Sequence, residues 1–231
     1  MGWPRMGLGG MALGWGAGRT SMKTEPPVRR AVFIDRDGTL NELIYSEEHG
    51  IVDSPHRAED VRLVPGAAEF IIGVKALGYL VIVVTNQPGI AKGSLTTDEL
   101  QRINRRLESL LAQRGARWDE LLYCPHHPRM HARGVTEFVA QCDCRKPEPG
   151  LILEGARRHA VDLSRSWMVG DGISDVQAGR RAGCRTLLVT RLKIETIERF
   201  LSLEEATPDY TATDLFAALR IIRDVTADSS G

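Results

Sequence analysis

The run AVFIDRDGT places two aspartates, Asp35 and Asp37, directly after the apolar residues 31–34. Three further polar groupings share that kind of address: Thr85 with Asn86 after LVIVV, Lys146 in CRKP, and Asp171 with Asp175 in GDGISD. Together they describe a site for phosphoryl transfer. Phosphomonoester hydrolysis is among the slowest uncatalysed reactions, so such a site must supply both a nucleophile and charge neutralisation. A carboxylate can be the nucleophile. Asp35 would attack phosphorus, and Asp37, two residues on, would protonate the departing ester oxygen and later deprotonate the water that cleaves the acyl phosphate. Carboxylate and phosphate repel one another unless a hard cation lies between them. An all-oxygen site with one or two carboxylates suits Mg²⁺. Asp35 and Asp171 are the first-choice ligands, and Asp175 is either a ligand through water or a group that orients one. The Thr85 hydroxyl and the compact Lys146 ammonium would bind the phosphoryl oxygens.

Each grouping alone has a plainer reading. A DxDG string can open a calcium loop, but that loop needs a third oxygen ligand before its glycine and a glutamate at its end. Here the glycine follows at once. The aspartates of GDGISD can simply cap a helix starting near Ser174, and a single lysine is usually solvated. Their occurrence in order, each at the end of an apolar run, favours the joint reading.

A second constellation is Cys124-x-His126 with Cys142-x-Cys144. Three thiols and one imidazole make a Cys₃His set able to close around one tetrahedral Zn²⁺. A closed set of four is structural, and its placement suggests that it holds Arg145 and Lys146, the residues just after Cys144. His127 and His131 are read as bystanders, and Cys184 as a small core residue.

These groups need a scaffold. Residues 31–34 and 80–84 read as buried parallel strands, with a helix between them that opens after Pro65 and Gly66 and stops near Gly78. Thr96 and Thr97, followed by Glu99, would cap an amphipathic helix reaching about Arg114, with Leu100, Ile103, Leu107, Leu110 and Leu111 on one face. Strands over 121–124, 167–169 and 186–190, and helices over about 150–161, 174–182 and 214–225, continue the alternation. Such a series predicts an α/β fold, a doubly wound parallel sheet of Rossmann type covered on both faces. Ligands of such sheets sit at the carboxyl ends of the strands. Residues 41–62 and 125–149 interrupt the pattern as long connections, where lids and binding loops are usual.

The chain has 231 residues, enough for one such domain, expected over 28–226 with a zinc loop at 124–144. Residues 1–27 are read as a disordered extension, with Met22 as an alternative start, and 227–231 as a flexible tail. Lysine plus arginine and aspartate plus glutamate number 30 each, so bulk charge argues against nucleic acid or an anionic membrane as partner. No apolar run reaches the roughly 18 residues needed to span a bilayer. Four cysteines at uneven spacing do not form a disulfide framework, which points to a reducing cytoplasm. The expected partner is a small phosphorylated metabolite, and the expected state a monomer.

DRDGT, the strand ending in TNQ, RKP and GDGISD resemble the four signature segments of the haloacid dehalogenase (HAD) superfamily of phosphatases, over about residues 31–190. Within it, TNQPGIAKG and the blocks CPHHP and CDCRKP are similar to the heptose 1,7-bisphosphate phosphatases and the histidinol-phosphate phosphatases. The resemblance implies a HAD-like sheet with a minimal cap, an aspartyl-phosphate on Asp35 and acid–base work by Asp37. It also implies phosphate or substrate contacts from Thr85, Asn86, Gln87 and Lys146, and magnesium held by Asp35, the Asp37 carbonyl and Asp171. Arg145 takes the position of an arginine that recognises substrate in the sugar phosphatases. Two departures bear on substrate. The chain is several residues longer between DRDGT and Pro65, so residues 43–46 match the relatives' substrate loop only loosely, and Pro88 stands where a serine is usual, without a backbone donor. A sugar bisphosphate such as D-glycero-D-manno-heptose 1,7-bisphosphate is the expected substrate and histidinol phosphate the alternative. A catalytically silent phospholigand-binding module is the alternative outside enzymes, and it predicts a missing nucleophile, acid or lysine.

Overall fold

The computed structural model describes residues 29–46, 50–130, 132–192 and 206–228. The expectations for residues 1–27, for His131 and for the last three residues lie outside these.

Six strands form one parallel sheet: β1 (Arg30–Ile34), β4 (Tyr79–Asn86), β5 (Glu120–Cys124), β6 (Trp167–Gly170), β7 (Arg185–Val189) and β8 (Tyr210–Ala212), in the order β5-β4-β1-β6-β7-β8. The chain winds outward from β1 to β5, returns to the other side of β1 and winds outward again. The order therefore reverses between β1 and β6, which opens a crevice at their carboxyl ends. Alternate residues of β1 show how the sheet is covered. Val32 and Ile34 join one core with Phe70, Leu107 and Ile222, whereas Ala31 and Phe33 join the other with Ile152, Ala156 and Ala178. The helices α1 (Ala67–Ala76), α3 (Thr97–Ala112) and α6 (Leu215–Asp228) thus pack on one face, and α4 (Gly150–His159) and α5 (Ile173–Ala182) on the other. Burying strand residues on both sides explains why these strands read as continuous apolar runs.

Local signals account for the element ends. The Thr96 hydroxyl accepts from the Glu99 amide at 3.2 Å while the Glu99 carboxylate accepts from the Thr96 amide at 2.8 Å, a reciprocal cap that starts α3 at the expected place. Helix α4 ends at Ala160, which takes φ 53°, and α5 ends at Gly183. Helix α6 runs to Asp228, past the expected boundary at 226. Two elements have too little sequence to be read in advance. A hairpin, β2 (Ile44–Ser46) with β3 (Ile51–Asp53), occupies the first long connection, and a four-residue helix α2 (Gly89–Lys92) follows β4. Strand β8 was also not foreseen. Its place is fixed from outside, because Asp209 accepts from the Thr186 amide at 2.7 Å and the Thr186 hydroxyl at 2.9 Å. No helix among the described residues is long and apolar enough to cross a membrane.

Candidate active site

Asp35 is the first residue past β1, and its amide donates to the Val169 carbonyl of β6 at 2.9 Å, so the carboxylate stands at the crevice. The Arg36 amide donates to Asp35 Oδ1 at 2.7 Å. The chain then turns back: the amides of Leu40 and Asn41 both donate to the Arg36 carbonyl, and Gly38 takes φ 84°. A side chain at Gly38 would put its Cβ 2.2 Å from Asp171 Oδ2, so glycine here answers both the turn and the approach of β6's aspartate. Thr39 Oγ1 donates to Asp171 Oδ1 at 2.9 Å. This one loop therefore presents Asp35 and also steadies the carboxylate across the crevice.

Lys146 lies in a turn near the end of the second long connection, not after a strand as the series of apolar runs suggests, and is only 3% exposed. Its Nζ lies 2.8 Å from Asp35 Oδ1, 2.6 Å from Asp175 Oδ1 and 2.8 Å from the Val84 carbonyl. Two ion pairs and a hydrogen bond to a carbonyl are what make this buried ammonium tolerable. Asn86 fixes the lysine's backbone, donating to the Lys146 carbonyl at 2.9 Å and accepting from its amide at 3.0 Å. Asp175 sits in the first turn of α5 and also accepts from the Gly172 amide at 3.0 Å.

Burial shapes the electrostatics. It raises the Asp35 carboxyl to about 7 despite the pull of Lys146, with Asp175 adding to the rise. Burial, with help from the Asp35 charge, raises Asp171 to about 6. Asp175 is also raised by burial. Burial opposes the charge on Lys146, but Asp175 and Asp35 outweigh it and hold the ammonium above its ordinary range. Carboxyl oxygens of Asp35, Asp171 and Asp175 lie within 4.8 Å of one another. Three hard oxygen donors, of which Asp175 is buried, Asp35 half-buried and Asp171 open to solvent, fit a small divalent cation such as Mg²⁺.

Asp37 is held differently. Arg36 Nη2 forks across its two oxygens at 2.9 Å each, Arg36 Nε and Asn41 Nδ2 donate to Oδ1 at 3.1 and 3.0 Å, and Gln87 Nε2 donates to Oδ2 at 2.7 Å. Gln87 Nε2 also lies 3.0 Å from the Thr85 hydroxyl, joining Asp37 to the end of β4. Arg36, Thr39 and Asn41 all escaped the sequence reading, although each is fully buried. The available signal was their polarity inside the run DRDGTLN, because a buried polar group needs partners. Gln87, expected near substrate, is 2% exposed and contacts Asp37 and Thr85.

The zinc-type set also assembles. Ligand atoms of Cys124, His126, Cys142 and Cys144 lie within 4.8 Å of one another, and none of these cysteines forms a disulfide. Sulfur pairs are 3.1, 3.3 and 3.5 Å apart, and His126 Nδ1 is 3.3 Å from Cys144 Sγ. A tetrahedron with Zn–S bonds of ~2.3 Å has edges of about 3.8 Å, so a small expansion admits the ion. Burial holds the Cys124 and Cys144 thiols above their ordinary range, so a cation there would displace protons. Arg145 turns toward this loop: its Nη1 donates to the His126 carbonyl at 3.3 Å, and it lines a cavity of about 510 Å³ with Pro128, Gln141 and Glu148.

A buried carboxylate–lysine pair at the switch point of a parallel sheet, beside clustered oxygen donors and a clamped second aspartate, defines a hydrolase of the phosphoryl-transfer class. The HAD-hydrolase-like family model matches residues 143–218. D-glycero-beta-D-manno-heptose-1,7-bisphosphate 7-phosphatase from Pasteurella multocida is 37% identical over 164 residues, 71% of this chain and 83% of that protein. The protein of the same name from Escherichia coli K12 is 37% identical over 161 residues, 70% of this chain and 78% of that one. Among solved structures, D,D-heptose 1,7-bisphosphate phosphatase from B. bronchiseptica, complexed with magnesium and phosphate, has a TM-score of 0.67 and 28% identity over 85% of this chain and 99% of its own. A HAD-like phosphatase from Mesorhizobium loti gives 0.62 and 36%, over 71% and 74%. The chain therefore belongs to the HAD-like phosphatase family of which these relatives are members.

Proposed function

We propose that the chain hydrolyses a phosphorylated sugar, D-glycero-D-manno-heptose 1,7-bisphosphate being the first choice and its 7-phosphate the group removed. The observation that carries the reading is the buried contact of Lys146 Nζ with Asp35 Oδ1 at 2.8 Å, a nucleophile and a phosphate-binding cation in one place. The names of the relatives support the substrate class. An oxygen of Asp35 forms a bond to phosphorus, the ester P–O bond breaks, and the departing oxygen takes a proton from Asp37. Asp37 then removes a proton from the water that hydrolyses the aspartyl-phosphate, which restores Asp35 and releases phosphate. Lys146 and the Thr85 hydroxyl hold phosphoryl oxygens, while Asn86 positions the lysine. Mg²⁺ held by Asp35, Asp171 and the Asp37 carbonyl would neutralise charge, with Asp175 orienting both lysine and metal site. Zinc on Cys124, His126, Cys142 and Cys144 would pin the segment leading into Arg145 and Lys146, with Arg145 as a substrate-recognition residue at the rim.

The decisive experiment ranks kcat/KM for the heptose bisphosphate, other sugar phosphates, histidinol phosphate and a generic aryl phosphate, with Mg²⁺ present or chelated. The sugar bisphosphate should lead. A preference for histidinol phosphate would overturn the sugar reading. Asp35→Asn should lose at least about a thousandfold in turnover, because no other group replaces the nucleophile; retention of full activity would remove Asp35 from that role.

A further inference from the structure

Helix α3 carries one polar residue where its spacing calls for an apolar one. Asn104 lies one turn from both Leu100 and Leu107, two residues of the buried stripe that packs α3 onto the sheet. It accepts from Arg36 Nη1 at 2.7 Å through Oδ1. Arg36 is fully buried, and its other nitrogens are spent on Asp37. Among the described residues, Asn104 is the side-chain partner of this guanidinium outside its own loop. The chain of contacts therefore runs from a capped 16-residue helix, through Asn104 and the planar fork of Arg36, to both oxygens of Asp37. An arginine side chain is long and freely jointed, and its fork fixes a carboxylate only if the fork is itself fixed.

We infer that Asn104 is a positioning residue of this phosphatase: by anchoring Arg36 to α3 it sets where the Asp37 carboxyl meets the leaving-group oxygen. The inference rests on the acid–base role proposed for Asp37. Removing the anchor leaves a buried Nη1 without its acceptor and lets the fork rotate. Misplacing a reacting group by about 1 Å can cost up to about a hundredfold in rate.

The test is leaving-group dependence. Phenyl phosphate expels a basic phenoxide that needs a proton, whereas 2,4-dinitrophenyl phosphate expels a stable anion that needs none. Asn104→Leu fills the apolar stripe and removes the acceptor. It should lower kcat/KM for phenyl phosphate by about tenfold or more while leaving kcat/KM for 2,4-dinitrophenyl phosphate within about twofold. Asn104→Asp, which keeps an acceptor, should restore most of the phenyl phosphate activity. If Asn104→Leu does not fold, Asn104→Ser, too short to reach Arg36, gives the same readout. An equal loss on both esters, or no loss on phenyl phosphate, overturns the inference. The phosphatase reading is judged separately, by whether Asp35→Asn abolishes turnover of both esters.

Discussion

The side chains of the crevice are paired so that each buried charge is used twice. Lys146 neutralises Asp35 and Asp175 and is itself held by them, while Asp171 leans on the Thr39 hydroxyl. Asp35 and Asp175 against the Lys146 ammonium, with Asp171 close by, leave an excess of negative charge that a divalent cation relieves. The sign of the resulting pH dependence follows from linkage. Asp35 and Asp171 rise from 3.8 to about 7 and about 6 in the folded chain, so between about pH 4 and pH 7 the folded state holds protons that the unfolded state has lost. Without metal, stability should therefore fall as pH rises through that window. Magnesium competes with those protons, so its stabilisation should be larger at pH 8 than at pH 5.5. Thermal unfolding with MgCl₂ or EDTA at the two values checks both statements, and a larger magnesium effect at pH 5.5 would contradict them.

At the scale of elements, the loop after β1 is the most constrained piece of backbone. Its turn brings Arg36, Asp37 and Thr39 to three different tasks within four residues, and Gly38 lets it pass against Asp171. Gly38→Ala should both strain the positive φ and press on the Asp171 carboxylate. The expected outcome is a loss of about 1–3 kcal/mol in stability by denaturant titration. The magnesium concentration for half-maximal activity should rise with it. A variant with unchanged magnesium dependence would show that Asp171 can move aside freely. The hairpin of β2 and β3 stands in the first long connection, between the loop after β1 and α1. Its exposed Tyr45 and Val52 face each other across the two strands.

At the scale of the whole molecule, the zinc-type set ties the far edge of the sheet to the crevice. Cys124 ends β5, the edge strand, and Cys144 is two residues from Lys146. The intervening loop is also docked elsewhere, since the Val135 amide donates to the Ala91 carbonyl of α2 at 3.0 Å. Removing a bound zinc ion would leave three thiols and an imidazole crowded together without a partner, and should loosen Lys146 along with the loop. Purified protein should contain about one zinc per chain, and stripping it with a strong chelator should lower the melting temperature and kcat together. Protein that is zinc-free as purified yet fully active would contradict this role.

The chemistry was legible in the sequence wherever it rests on short-range order. Asp35 and Asp171 follow apolar runs, the four zinc-type ligands pair at fixed spacing, and the period of the apolar residues gave the alternating strands and helices, whereas Lys146, in CRKP, follows no apolar run and stood out only beside the others. The reciprocal cap at Thr96 and Glu99 was equally local. Tertiary structure alone decided which buried polar residues serve the site. Arg36, Thr39 and Asn41 show in the sequence only their polarity, and half-buried Asn104 only a polar break in an apolar stripe, because packing decides which partners such groups meet. It also decided what Asn86, Gln87 and Arg145 touch: their amide and guanidinium groups go to the Lys146 backbone, to Asp37 and to the zinc-type loop. Spacing along a chain fixes which side a residue faces, but only packing fixes what it meets there.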